Sequence, residues 1–221
     1  SLPPAIQDHS HSLKTLGFIP ASYDFKDLQE KPNMRMLKIG LLLAMAAVCA
    51  LATEYKIDTA HSSAQFAVTH MGLSKVRGSF GNIQGTINYD PTNVAATKVN
   101  ATISTSTVNT NNERRDNHLR GADFFDAEKF PTMTFVSTKV EPAGAGTLKV
   151  TGDLTMKGVT KPVVLTVEGP TDAIKDQRGG TKRAAAATTR INRKDFGITW
   201  NRALDTGGVM VSDEVDITID L

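Results

Sequence analysis

Few residues of this chain have the types and spacing needed for acid–base or nucleophilic chemistry. In its long C-terminal part the histidines are His61, His70 and His118, and Ser62 and Ser63 adjoin the first of them. Neighbouring residues of a strand point to opposite faces, and the Gly-x-Ser-x-Gly turn of many hydrolases does not occur. A catalytic triad is therefore not predicted, and we do not expect the protein to be an enzyme.

Binding of a metal ion or a cofactor is not predicted either. His61 and His70 are nine positions apart, so in one unbroken strand their side chains fall on opposite faces and cannot share an ion. Gly152-Asp153 and Lys157-Gly158 are typical of strand ends and turns, and we do not expect them to hold a phosphate group.

The histidine with the most informative surroundings is His70, because it ends an alternating stretch. Ala64, Phe66, Val68 and His70 share one parity, and a period of two indicates a strand with one face turned to an interior. That face begins apolar and ends in an imidazole, a combination that suits an amphiphilic ligand. The alternative is an ordinary half-buried strand that ends in a hydrogen-bonded histidine.

Strands separated by turn signals would position this face. The eight predicted strands span 64–70, 76–90, 98–108, 132–140, 148–156, 162–168, 184–191 and 214–221. Gly81-Asn82 breaks the parity of the second strand, as a β-bulge would; a short helix is the alternative for 184–191, and 172–183 is a predicted exposed loop. The predicted fold is all-β, an eight-stranded antiparallel up-and-down barrel with one short helix, which can be filled by side chains or hold one small ligand.

The single predicted helix spans 110–121. Thr110 and Glu113 fit a capping box, in which each side chain accepts a hydrogen bond from a free amide at the helix start. Leu119 is the only large apolar residue of the segment, so the helix is not expected in the core. Phe124 and Phe125 follow it and would cover the mouth of a barrel.

Residues 34–52 have the three parts of a cleavable signal peptide. Arg35 and Lys38 precede an unbroken apolar run at 39–48, and Ala50-Leu51-Ala52 is a small-x-small cleavage site. The run is shorter than the roughly 20 residues of a spanning helix, so no stable membrane span is predicted. We expect the protein to be exported and its mature chain to begin at Thr53.

The remaining features of the N-terminal region fit this interpretation. Residues 1–33 contain scattered prolines without periodicity, which predicts an upstream extension that is disordered or not part of the mature protein. Cys49 is the only cysteine, so cleavage would leave a thiol-free chain, as suits an oxidising compartment. A lipoprotein modified at Cys49 is the alternative, although Val48 is a poor residue before a lipidated cysteine.

The net charge excludes one class of partner. The chain carries 25 Lys and Arg against 23 Asp and Glu, a formal charge of +2. Nucleic-acid binding calls for a clustered basic surface, so no nucleic acid is predicted as a partner. The sequence leaves a homodimer open.

Several stretches together resemble the YceI family of bacterial periplasmic lipid-binding proteins. They are YKIDTAHSSAQFAVTHMG, GSFGNIQGTINYD, HLRGADFFDAEKFPTMTF, TGDLTMKGVTKPV, INRKDFGI and VSDEVDITIDL. The resemblance runs from about Tyr55 to Leu221 and makes 53–221 one domain. It implies a lipocalin-like barrel that binds a polyisoprenoid or a similar long-chain amphiphile in an apolar tunnel. With the predicted signal peptide, it also implies that the mature protein lies in the periplasm of a Gram-negative bacterium.

The inner parities of the strands and the two phenylalanines after the helix give the candidate ligand-binding residues. They are Phe66, Val68, His70, Phe80, Ile87, Ile103, Phe124, Phe125, Met133, Phe135, Leu154, Met156, Leu165, Val167, Val215 and Ile217. The predicted function is transport or sequestration of a polyisoprenoid or an isoprenoid quinone. The alternatives are an enzyme that acts on such a lipid and a stress-related structural protein with a filled barrel.

Overall fold

The structure is a computed structural model that describes residues 52–205 and 207–221. The predicted upstream extension (1–33) lies outside the described residues, as does all of the predicted signal peptide except Ala52. Both therefore stay predictions.

The described residues form twelve strands and one α-helix. The strands are β1 (Thr53–Lys56), β2 (Ser63–His70), β3 (Ser74–Phe80), β4 (Gln84–Tyr89), β5 (Lys98–Ser104), β6 (Thr132–Gly144), β7 (Thr147–Met156), β8 (Val159–Glu168), β9 (Ile174–Lys175), β10 (Thr181–Lys182), β11 (Ala186–Asn192) and β12 (Val211–Asp220). The helix is α1 (Glu113–Arg120), and short 3-10 turns span Val94–Ala96, Thr105–Thr107 and Arg193–Phe196.

Ten of the strands form one strongly curled sheet. Their order is β1-β4-β5-β6-β7-β8-β11-β12-β2-β3, and β9 and β10 pair in a separate hairpin. Every neighbouring pair is antiparallel. The predicted all-β barrel fold with one short helix is confirmed.

The predicted strand 76–90 is a single chain path that changes partners. Its first half, β3, pairs with β2, whereas its second half, β4, pairs with β5. An even number of antiparallel steps separates β3 from β4 in the sheet order, so the two halves run in the same direction. The predicted bulge at Gly81-Asn82 is therefore the point of the switch, where Asn82 has a φ of 57°. Counted as one, β3 and β4 complete the predicted eight strands, and β1 is an addition along β4.

The connections between strands gather at two ends, because neighbouring strands alternate in direction. We call one the helix end; its connections are residues 71–73, 105–131, 157–158 and 193–210. We call the other the far end; its connections are residues 90–97, 145–146 and 169–185.

The predicted capping box at Thr110 is wrong. The helix begins at Glu113, and its N-cap is Asn112, whose side chain accepts a hydrogen bond from the Arg115 amide at 3.0 Å. Thr110 instead donates its amide, at 2.9 Å, and its hydroxyl to the buried carboxylate of Asp116. This local side-chain pairing holds Thr110 outside the helix and competes with a box at that position.

The segment 184–191 is a strand, as predicted, and not a helix. β11 pairs with β8 on one side and β12 on the other. Two flanking ladders outweigh the helix preference of its alanines, since strand propensity depends strongly on context. The predicted loop at 172–183 is only partly correct, because it carries the short β9–β10 hairpin.

Two apolar clusters occupy the interior. The cluster toward the helix end contains Phe80, Val108, Phe124, Met133, Met156, Ile191, Phe196 and Ile198. The other contains Phe135, Val140 and Val150. Across 52–205 and 207–221, none of the helical structure has the length and hydropathy needed to cross a bilayer.

Candidate ligand-binding cavity

A cavity of about 400 Å³, lined almost entirely by apolar atoms, lies inside the curled sheet. Ligand pockets commonly measure roughly 300–1,000 Å³. All the predicted ligand-binding residues line this cavity, His70 and the phenylalanine pair Phe124 and Phe125 included. The structure thus brings the predicted set together around one space, and binding by these residues stays a prediction.

Many inward-facing apolar side chains remain partly accessible. Phe66, Val68 and Leu165 line the cavity and are only half-buried, whereas Met133 and Phe135 are 7% and 9% exposed. Residues that point to an interior without being covered indicate space that side chains do not fill. This observation argues against the filled-barrel alternative.

Two glycines determine where phenylalanine rings lie along the wall. Phe66 is directly opposite Gly78 across the β2–β3 pair, and a Cβ atom at Gly78 would lie 2.4 Å from Phe66 Cζ. A Cβ atom at Gly152 would lie 2.4 Å from Phe135 Cζ. Each ring therefore uses the space that a missing side chain leaves beside the strand, which keeps the ring out of the middle of the cavity.

At the helix end, basic and aromatic groups join the cavity lining. Arg115, His118 and Leu119 on α1 all line the cavity, which places the predicted helix over this end of the barrel. The His118 ring lies edge-on to Phe124 and to Trp200, each at 5.0 Å between ring centroids. Its Nε2 atom is 2.9 Å from an Asp123 carboxylate oxygen.

Arg193 ties the connection 193–210 to the barrel. This arginine is 4% exposed, and its Nη1 donates to the carbonyls of Ile198 and Trp200, both at 2.8 Å. Its Nε donates to the Ser212 carbonyl at 3.0 Å, and its Nη2 lies 3.4 Å from Asp213 Oδ1. Burial lowers the pKa of Arg193, and the charge of Asp213 opposes that shift.

The far end of the cavity has no charged lining among the described residues. Its lining residues include Val99, Leu148, Val150, Leu165, Val167, Pro170, Ala185 and Leu221. The hydroxyls there belong to Tyr89 and Thr97. This end suits the hydrocarbon part of a ligand, since nothing charged would have to lose its hydration on binding.

The sequence prediction included His70 but missed Arg115, His118 and Leu119 on α1 as lining residues. Arg115, His118 and Leu119 share one helix face because they are three and four positions apart, and that spacing could have identified them. Trp200 is the only tryptophan of the chain, but it lies in an irregular connection whose position no periodicity reveals.

No arrangement of catalytic groups or metal ligands is found in the part of the chain that the structure describes. There, no hydrogen bond reaches the His70 imidazole, and none joins His118 to a serine or cysteine. The same residues contain no cluster of three or more His, Cys, Asp or Glu side chains able to hold a metal ion.

Comparison with known proteins identifies the family. Residues 55–221 match the YceI-like domain. The chain belongs to the YceI-like family. A UPF0312 protein from Vibrio cholerae is 43% identical over 166 residues, which cover 74% of this chain and 87% of that protein.

Two solved structures share the fold. The Campylobacter jejuni YceI protein is 35% identical with a TM-score of 0.58, over 76% of this chain and 96% of that one. A polyisoprenoid binding domain from Saccharophagus degradans, implicated in plant cell wall breakdown, is 15% identical with a TM-score of 0.52. That alignment covers 76% of this chain and 96% of the domain. At this identity the likeness concerns the fold alone.

Proposed function

We propose that this YceI-like protein binds one long-chain amphiphile, a polyisoprenoid or an isoprenoid quinone, with its hydrocarbon tail inside the barrel. The observation that carries the proposal is the apolar cavity of about 400 Å³ whose inward-facing residues remain partly uncovered. The Saccharophagus degradans domain, described as binding polyisoprenoids, has the same fold. A carrier or sequestering protein, rather than an enzyme, fits this arrangement.

The expected energetics depend on the tail. Each buried methylene contributes roughly 0.8 kcal/mol, so a five-carbon isoprene unit contributes about 4 kcal/mol before opposing terms. Association costs about 4–15 kcal/mol in lost translational and rotational freedom. A few isoprene units would offset that cost, and affinity should therefore depend on tail length more than on the head group.

Two measurements test the proposal. Organic extraction of the purified protein, followed by mass spectrometry, should release an isoprenoid lipid in about equimolar amount. Titration of the delipidated protein with prenols of increasing length should then give an affinity that rises with each isoprene unit until the cavity is full. An affinity that does not depend on length would overturn the proposal.

We also infer that the protein acts in the periplasm after cleavage before Thr53. The leader-like pattern of residues 34–52 supports this, and β1 begins at Thr53 and pairs with β4, so cleavage there would leave the first strand intact. N-terminal sequencing of exported protein should begin at Thr53. Recovery of the mature protein with Ala52 still attached would contradict the inference.

A further inference from the structure

The ionisable side chains that line the cavity are unevenly distributed. In the described part of the chain, Asp, Glu and Lys are absent from the lining, and the basic residues of the lining are His70, Arg115, His118 and Arg193. All of these lie at the helix end, on β2, on α1 or on the 3-10 turn that follows β11. The cavity thus has one basic end and one uncharged end.

The basic residues follow a connected arc along the helix end. His118 contacts the Trp200 ring, and the Trp200 carbonyl accepts a hydrogen bond from Arg193. The next residue, Asn201, bonds to both backbone groups of Val211, at 2.7 and 3.1 Å. Val211 pairs with His70 across the β12–β2 ladder, so the arc continues across to the opposite wall.

Arg115 lies one helical turn before His118, and its charge is less compensated than that of His118 or Arg193. Arg193 and His118 each have a carboxylate within 4 Å, from Asp213 and Asp123 respectively. The described residues provide no such partner for Arg115. Its Nε and Nη2 donate to the Thr110 hydroxyl and carbonyl, at 2.7 and 2.9 Å.

Thr110 holds Arg115 in place without neutralising it. The same threonine hydroxyl that accepts from Arg115 also donates to the buried Asp116 carboxylate. This carboxylate is therefore near Arg115, but within the described residues it accepts no hydrogen bond from the guanidinium. Two donors of a half-buried guanidinium are thus fixed, and its Nη1 is not used in any hydrogen bond within the described residues.

We propose that the helix end contains a binding site for an anionic head group, a phosphate or a carboxylate, and that Arg115 binds this group. This inference rests on the proposed function, because it requires that the tail of the same amphiphile occupies the cavity toward the far end. Arginine favours such groups through charge-assisted hydrogen bonds, and the lining has no carboxylate that would repel them. The ligand then has one orientation, with its head group under α1 and its tail pointing toward the far end of the cavity.

The test compares ligands with the same geranylgeranyl chain and different heads. Geranylgeranyl phosphate, geranylgeranoic acid, geranylgeraniol and geranylgeranylamine are titrated into the purified protein at low and high salt. The phosphate or the acid should bind at least about tenfold more tightly than the alcohol, the amine more weakly, and salt should reduce the difference. Whichever anion binds more tightly identifies the source of the charge.

Two neighbouring arginines provide a matched pair of variants. Arg115→Gln should bring the affinity for the preferred anion down to that of the alcohol, whereas Arg114→Gln, an exposed change on the same helix, should keep the preference. If the unchanged protein binds the anions and the alcohol equally well, the proposed head-group site is wrong, whereas the proposal that the cavity binds the tail is unaffected. Failure of all four ligands to bind would overturn the proposed function together with the head-group site.

Discussion

The two ends of this barrel are built differently. At the helix end, a buried arginine joins irregular backbone to strand β12, and basic groups line the cavity. At the far end the lining is uncharged, and polar contacts that are exposed or partly buried hold the outer connections in place. Lys182 Nζ lies 3.0 Å from Asp58 Oδ2, and Arg183 donates to the Tyr55 hydroxyl at 3.1 Å.

This difference indicates how one cavity can recognise an amphiphile. An apolar wall takes a tail of any chemistry that is hydrophobic enough, because burial of apolar area is not directional. Hydrogen bonds and charges depend on geometry, so discrimination between head groups belongs to the helix end. A buried hydrogen-bond network suits the helix end, because it fixes the positions of the polar groups there. At the far end, polar contacts outside the cavity are enough to hold the apolar wall in place.

Loss of the buried arginine should have the largest effect on stability. Arg193→Met removes the hydrogen bonds to the carbonyls of Ile198, Trp200 and Ser212 and the contact with Asp213, and within the described residues Asp213 keeps only the Lys194 ammonium at 2.8 Å. A buried acceptor left without a donor costs about 1–3 kcal/mol, so the three carbonyls together should cost about 3–5 kcal/mol. Urea denaturation should show a loss of this size.

The matched control for this variant is Arg190→Met. Arg190 is largely exposed, and its partners, Glu214 and Asp216, lie on the outer face of the sheet. Surface ion pairs contribute little to stability, so the two variants should differ clearly in their denaturation midpoints. Equal losses would mean that the hydrogen-bond network at the helix end is no stronger than the surface of the barrel.

A charge placed in the apolar wall should have the next largest effect, and it acts on binding. Leu165 lines the cavity toward the far end, and Leu165→Asp would oppose a hydrocarbon tail with a carboxylate that loses its hydration. We expect lipid affinity to fall on the order of 100-fold, about 2.8 kcal/mol. Val164 is the adjacent residue and is 40% exposed, so Val164→Asp should bind as the parent does in the same titration.

A methyl group at Gly78 should narrow the cavity. Its Cβ atom would lie 2.4 Å from Phe66 Cζ and 2.7 Å from Thr110 Cγ2. Gly78→Ala must therefore push the Phe66 ring into the cavity that this ring now lines. We expect about tenfold weaker prenol binding and a loss of about 1–3 kcal/mol in stability, as for other overpacked sites.

Two further variants separate cavity width from general damage. Phe66→Leu combined with Gly78→Ala should recover much of the lost affinity, because a smaller side chain no longer has to occupy the cavity. Gly81→Ala adds the same methyl group where nothing lies within 4 Å, and it should change little. If the double variant binds no better than Gly78→Ala alone, the ring is not what narrows the cavity.

The sequence predicted the far end better than the helix end, and the reason is physical. Alternation along strands reveals which residues face inward, so Ile87, Leu165 and Val167 could be assigned without a structure. The partner switch at Gly81-Asn82 breaks the parity of the strand just as a bulge does. Pairing with distant strands leaves no local signal, so the sequence could not distinguish the two. The helix end depends on irregular backbone and single hydrogen bonds. The Thr110 hydroxyl bonds to Asp116 rather than capping the helix, and Trp200 reaches His118 only through tertiary packing.

The smallest predicted effect concerns the exposed contacts of the far end. Hydrogen bonds from Lys182, and then from His61, lower the pKa of Asp58 from 3.8 to about 2. Because this pKa is lower in the folded than in the unfolded protein, the contact stabilises the fold above about pH 4 and weakens as the pH falls toward 2.

NMR titration of the Asp58 carboxyl should give a midpoint near 2. Lys182→Ala should raise it toward 3.8, whereas Lys175→Ala, whose Nζ bonds to Thr181 in the same hairpin, should leave it unchanged. If the Asp58 midpoint is the same in Lys182→Ala as in the parent, this ion pair does not hold the β9–β10 hairpin against the β1–β2 connection. The contrast between the two ends would then depend on the cavity lining alone.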